Sequence, residues 1–214
     1  SLGNINRALL TDLPYELYWY DKTVGAKISY YYGEDKETGV APFTFRFSVA
    51  EAYAGGADYT TDTAKTGAAV KAAANANKVV ENYSGLSDFD KLDGYRMYIC
   101  DAVEYNNKAA NTANYPYGDP WQLIYAFDND PTTNIVCEGY SKAFQYLCDL
   151  SSFKNSTIYS TIVTGTMSGG GHMWNIVSID GVSYTVDITN CDSGTVGYPD
   201  RLFFKGMKDP TGDG

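Results

Sequence analysis

Three residues of types that together run thiol chemistry occur in order along the chain: Cys137, His172 and Asp187. A cysteine nucleophile needs a base to take its proton and a group to hold that base in one tautomer, and these three residue types supply both. His172 is the single histidine. Any mechanism that needs an imidazole must therefore use it, and a site with two His ligands, such as the H-E-x-x-H zinc pattern, is excluded. The four cysteines, Cys100, Cys137, Cys148 and Cys191, contain no C-x-x-C pair, which argues against a zinc ribbon or a thioredoxin-type motif. They are too few for a disulfide-built scaffold, although one pair can form in an exported protein.

The elements that must position these residues follow from periodicity. A helix is expected from Cys137 to about Leu150, because Tyr140, Ala143, Phe144, Leu147 and Cys148 fall on one apolar face. Cys137 lies on that face at the helix N-terminus, where free N–H groups and the helix dipole favour a thiolate. Its backbone N–H is also available to stabilise an oxyanion. Taken alone, Cys137 also reads as a buried inert thiol, since free cysteine is among the most buried residue types. Downstream, Asp180-Gly181 is a favoured two-residue hairpin turn. It pairs Ile179 with Val182 and, continued outward, Trp174 with Asp187 and His172 with Thr189. Alternation then puts His172, Trp174 and Asp187 on one face of the ribbon. His172 and Asp187 become diagonal neighbours with Cβ atoms on the order of 7 Å apart, within reach of an imidazole–carboxylate hydrogen bond. The other face carries Val177, Ile179, Val182, Tyr184, Val186 and Ile188, suited to packing.

Elsewhere, residues 1–54 read as short strands around turns. Phe43, Phe45, Phe47 and Val49 alternate on one face of a half-buried strand, and the 33–39 stretch is charged and turn-like. The Tyr15–Tyr20 cluster suits packing better than ligand binding. Residues 62–82 look helical, as do 87–105, where Ser87 is a cap and Leu92, Tyr95, Ile99 and Val103 form the buried stripe. Residues 106–120 are expected as loop and 121–127 as a short helix. Strands are expected at 158–163 and 172–188. Gly169-Gly170-Gly171 reads as a turn, Asp128 and Asp130 as a solvated turn lacking the calcium-loop pattern, and residues 209–214 carry no packing signal. With no internal repeat and no clear linker, residues 1–214 are read as one domain, with 1–80 an N-terminal extension and 85–206 the core.

Three blocks resemble the transglutaminase-like superfamily. Val136-Cys137-Glu138-Gly139-Tyr140-Ser141-Lys142-Ala143-Phe144 is similar to its C-x-G-Y/F-A/S-x-x-F/L signature. His172-Met173-Trp174-Asn175 resembles its H-A/M-W-N block, and the run from Asp180 to Thr189 resembles its D-G-x-W/Y-x-x-V-D-x-T block. Order and separation fit as well, over roughly residues 85–206. The resemblance implies an α+β, papain-like core in which a Cys-bearing helix packs on an antiparallel sheet, with a strand-rich N-terminal segment added. It implies a nucleophile at Cys137, a base at His172 and an orienting carboxylate at Asp187, with no cofactor and no metal. Trp121 and Gln122 are candidates for the oxyanion or substrate groove, together with Trp174, although Trp121 and Gln122 also read as packing or surface residues. The chain departs from the family pattern at Asn190-Cys191-Asp192, where many members carry Trp-Asp after the Thr.

Composition narrows the partners. A net charge of −10, from 16 basic and 26 acidic residues, argues against nucleic acid or an anionic membrane. No apolar run approaches the roughly 20 residues of a membrane helix. The chain starts at Ser1, so a leader can have been removed, and the 20 tyrosines with many polar loop residues suggest a secreted or cell-surface protein. The expected function is a thiol enzyme that attacks peptide or glutaminyl amides and passes the acyl group to water or an amine, with peptidase-like hydrolysis preferred. Its partner is a protein or peptide, including cell-wall or surface peptides. The alternatives are a non-catalytic module that binds such peptides with a vestigial triad, and a structural part of a larger surface protein.

Overall fold

A computed structural model describes residues 2–30, 43–192 and 202–206. The order of elements is α1 (Leu2–Asp12), β1 (Ala26–Tyr30), β2 (Phe43–Phe47), α2 (Gly67–Tyr83), α3 (Asp88–Ala102), β3 (Glu104–Tyr105), α4 (Asn107–Asn111), β4 (Asn134–Ile135), α5 (Cys137–Asp149), β5 (Tyr159–Met167), β6 (Gly170–Ile179), β7 (Val182–Val186), α6 (Ile188–Cys191) and β8 (Phe203–Gly206). Helices pack on sheets in a mixed α+β arrangement. No described helix is long and apolar enough to cross a membrane. The turn-like 33–39 stretch and the tail at 209–214 lie outside the described residues.

The chain divides into two compact units. The smaller comprises Trp19–Gly67 and Pro116–Gly118. In it β1 and β2 pair antiparallel, from Ala26 opposite Phe47 to Tyr30 opposite Phe43. Phe47 packs against Tyr20 edge-on at 4.9 Å between ring centroids, and Tyr20 is fully buried.

The larger unit comprises Ser1–Tyr18, Ala68–Tyr115 and Asp119–Gly214. Its sheet has the order β5-β6-β7-β8, with every neighbouring pair antiparallel. α5 lies against β5 and β6 and is also packed by α3 and α6. Phe144 and Leu147 are fully buried, and each such side chain contributes about 1.5–3 kcal/mol of burial. α5 is enclosed even on its polar side, where Lys142 Nζ meets Glu138 Oε1 and Gln122 Oε1, both at 2.8 Å. Buried charges persist only when paired in this way. In α3, Ser87 Oγ accepts from Asp90 N and donates to the Asp90 carboxylate, a reciprocal cap. Leu92, Tyr95 and Ile99 are fully buried, as their spacing requires.

Several expectations are corrected. Residues 2–12 are helix and not strand, because Asn6, Leu9 and Leu10, at i, i+3 and i+4, carry the half-buried face. α3 ends at Ala102, and the chain continues as β3, paired in parallel with β4. The loop at 106–120 contains α4, whose first turn is capped by Asn106 Oδ1 accepting from Ala109 N at 2.8 Å. In 121–127 only Ile124–Phe127 is helical beyond the turn ending at Trp121, and it is a 3-10 turn. Tyr15 follows α1 and stacks on Tyr146 at 4.9 Å, so this aromatic packs on α5 and not within a strand. The hairpin expected at 172–188 forms as β6 and β7, but β7 ends at Val186 and the chain turns into α6 where the strand was expected to continue.

Candidate active site

The Asp180-Gly181 turn sets the register around the site. Both residues have positive φ, 52° and 78°, as a tight hairpin turn needs. Ile179 faces Val182, and pairing continues to Asn175 opposite Val186. There it stops, so Trp174 and Asp187 are not a ladder pair. Asp187 leaves the strand because its side chain caps α6, with Oδ1 accepting from Asn190 N at 3.2 Å. The exit from the sheet still brings acid and imidazole together: His172 Nε2 lies 2.7 Å from Asp187 Oδ2.

Asp187 is buried, at 1% exposure, and its oxygens are held from three directions. Besides His172 and the Asn190 backbone, the Asn190 side-chain amide donates to Oδ2 at 2.7 Å. The same amide lies 3.2 Å from Met167 Sδ and 3.5 Å from His172 Nε2. Asn190 was the point of departure from the family pattern. The readable signal for it was the spacing alone, because an Asp cap meets the residue three positions later.

Cys137 lies close enough to His172 to bear on the charge of its ring. Burial disfavours the imidazolium, but the hydrogen bond to Asp187, with the proximity of Asp187 and Cys137, outweighs it and raises the imidazole to about 9. With Nε2 taken up by Asp187, Nδ1 is the nitrogen available to exchange a proton with the thiol. Cys137 opens α5, and its backbone N–H has no partner among the described residues. Burial, then the charges of Asp192 and Cys191, push Cys100 up to about 12, and full burial raises Cys148 well above its ordinary value. Cys191 is buried.

Cys137 and His172 line a cleft of about 760 Å3. Trp121 lines it too, while Gln122 and Trp174 do not. Gln122 is buried, its Oε1 committed to Lys142. Trp174 stacks on the His172 ring at 5.7 Å between centroids and at 19°. Its far edge crosses Gly165, where a Cβ would fall 2.6 Å from Trp174 Cη2, so the glycine is required by the indole. Gly169 belongs to the β5–β6 turn, with φ +83°, whereas Gly170 and Gly171 are in β6 and border the cleft. Tyr105, Asn107 and Asn111, which sequence reasoning left aside as the end of a helix and a loop, form another wall. No described lining residue is Asp, Glu, Lys or Arg. Among the described residues no group of three or more His, Cys, Asp or Glu is arranged to hold a metal ion. The Asp128–Asp130 turn is closed on itself, with Asp128 Oδ1 accepting from Asp130 N and Asp130 Oδ1 from Thr132 N.

No family model and no curated protein matches the chain. Among solved structures, one described as "Crystal structure of a TGase" is similar over 67% of this chain and 38% of that one, at 18% identity and a TM-score of 0.47. This is a weak structural resemblance to a transglutaminase-fold protein, and it carries no argument about activity.

Proposed function

We propose that the protein is a thiol enzyme acting on carboxamides of peptides or proteins, with Cys137 as nucleophile, His172 as general base and acid, and Asp187 as the group that orients and charges the imidazole. The observation that carries this reading is the single histidine, bonded to a buried carboxylate and bordering the same open cleft as a cysteine at a helix N-terminus.

In the first step the Cys137 sulfur attacks the amide carbon, and the oxyanion formed meets the unpartnered Cys137 N–H. The His172 imidazolium then gives its proton to the leaving amine, which leaves a thioester. In the second step neutral His172 takes a proton from the incoming nucleophile, and the thioester breaks to restore the thiolate–imidazolium pair. Ser168, Gly170, Gly171 and Asn111 on the cleft wall are solvent-exposed. Water therefore has access to the thioester, which favours hydrolysis over transfer. The uncharged wall suits a neutral peptide segment.

The test is thiol reactivity. Iodoacetamide at neutral pH is expected to alkylate Cys137 before Cys100, Cys148 and Cys191, with peptide mapping to assign the site, and Cys137→Ala is expected to abolish turnover of a peptide library. Equal, slow labelling of all four thiols would instead favour a peptide-binding module.

A further inference from the structure

A second pocket, of about 390 Å3, lies in the larger unit and is bordered by Tyr83, Tyr98, Tyr125, Asp101, Asn129 and Pro131. None of these residues belongs to the cleft described above. Two of the tyrosine rings are fixed from behind. Tyr98 stacks on buried Phe127 at 5.9 Å and 13°. Tyr83 meets Tyr95 edge-on at 5.8 Å and lies directly over Gly94, where a Cβ would fall 2.4 Å from Tyr83 Cε1. The third, Tyr125, lies near the carboxylates of Asp119 and Asp128. The three rings make no ring contact with one another, so the space they enclose is not closed by stacking.

The local charge is negative. Asp101 borders the pocket, and no basic side chain does. Tyr98 and Tyr125 are both held above their ordinary pKa, first by burial and then by nearby acids, Asp128 for Tyr98 and Asp119 with Asp128 for Tyr125. Lys71 bears on Asp130 in the adjoining turn. The cation–ring pairs among the described residues use Tyr117, Phe153 and Phe203, so the three pocket rings have no internal cation.

Pre-set aromatic walls beside a carboxylate attract a weakly hydrated cation through the negative ring faces. A primary ammonium keeps its three N–H groups better satisfied in water, whereas a methylated one loses little on entering such a pocket. We propose that this pocket binds a small methylated ammonium group of the choline type. It is a site separate from the thiol cleft and does not depend on the enzyme reading.

The test is an NMR titration of the intact protein with choline chloride, tetramethylammonium chloride and the neutral isostere 3,3-dimethylbutan-1-ol. Choline is expected to saturate, to shift the Tyr83, Tyr98 and Tyr125 signals, and to bind about tenfold more tightly than the neutral isostere. Tyr125→Leu is expected to weaken choline binding about fivefold. Asp101 is exposed, so Asp101→Lys leaves the core untouched and is expected to abolish binding by placing a tethered cation at the rim. Equal affinity for choline and its isostere, absence of saturation at roughly 100 mM, or wild-type choline binding by Asp101→Lys would each overturn the proposal.

Discussion

Replacing Asp187 with asparagine keeps the size of the side chain and its ability to cap α6, but removes the charge that faces His172. The imidazole is raised from an ordinary 6.5 to about 9 against a burial effect that pulls the other way. A rise of that size corresponds to about 3 kcal/mol favouring the imidazolium. Asp187 and Cys137 share it, and if Asp187 supplies half or more, its loss costs about 2 kcal/mol and the imidazole falls to about 7.5. The thiolate–imidazolium pair then becomes scarcer by roughly 30-fold, and an amide facing Nε2 also permits the wrong ring tautomer. The expected result for Asp187→Asn is a fall in kcat/KM of about 10²-fold at pH 8, with the alkaline limb of the pH–rate profile moving from near 9 toward about 7.5. The assay is turnover of one peptide substrate from pH 5 to 10, with thermal melts to confirm folding. A variant that keeps its alkaline limb near 9 and loses less than about threefold in rate would refute the reasoning.

Four further outcomes follow from the same structure. His172 has a folded-state pKa above its unfolded value, so its contribution to stability, up to about 3 kcal/mol, is full below about pH 6.5 and is lost as pH rises through about 9; denaturant melts of wild type and His172→Gln across this range are expected to converge at high pH. Asn190→Ala removes the amide that holds Asp187 Oδ2 at 2.7 Å and is expected to lower kcat about tenfold with little change in KM, whereas a change confined to KM would count against a positioning role. Gly139→Ala would set a Cβ 2.8 Å from Ile135 Cβ and 2.9 Å from the Gln122 carbonyl, and is expected to destabilise by about 1–3 kcal/mol in urea melts. Phe144→Ala empties a fully buried position on α5, with an expected loss of about 3–5 kcal/mol in the same melts.

What could be read from sequence alone was local. The span of α5, the Ser87 cap and buried stripe of α3, and the β6–β7 register each rest on residues within one element or one turn, so periodicity and Asp180-Gly181 were enough. The end of β7 was not readable in that way. Alternation would carry the strand on through Asp187 and Ile188, but the Asp187 side chain bonds the backbone of Asn190 and starts a helix instead. For the same reason the role of Asn190 was hidden, since it depends on a turn that alternation does not foresee. Helix α1 was missed because the neighbouring tyrosines and tryptophan suggested strands, although Asn6, Leu9 and Leu10 had helical spacing. The parallel contact of β3 with β4 and the position of α4 on the cleft wall arise from long-range packing. No local pattern encodes such contacts, and so the cleft walls were less legible than the three residues with which the reading began.

Because the chain has one histidine, the imidazole ring gives a single set of 15N signals that need no assignment by mutagenesis. Titrating 15N-His-labelled protein from pH 5 to 10, alongside Cys137→Ala and Asp187→Asn, measures the coupling of thiol, imidazole and carboxylate directly. The expected result is a midpoint near 9 in the wild type, a hydrogen-bonded Nε2–H, and a lower midpoint in each variant. A wild-type midpoint near 6.5 that neither substitution moves would contradict it.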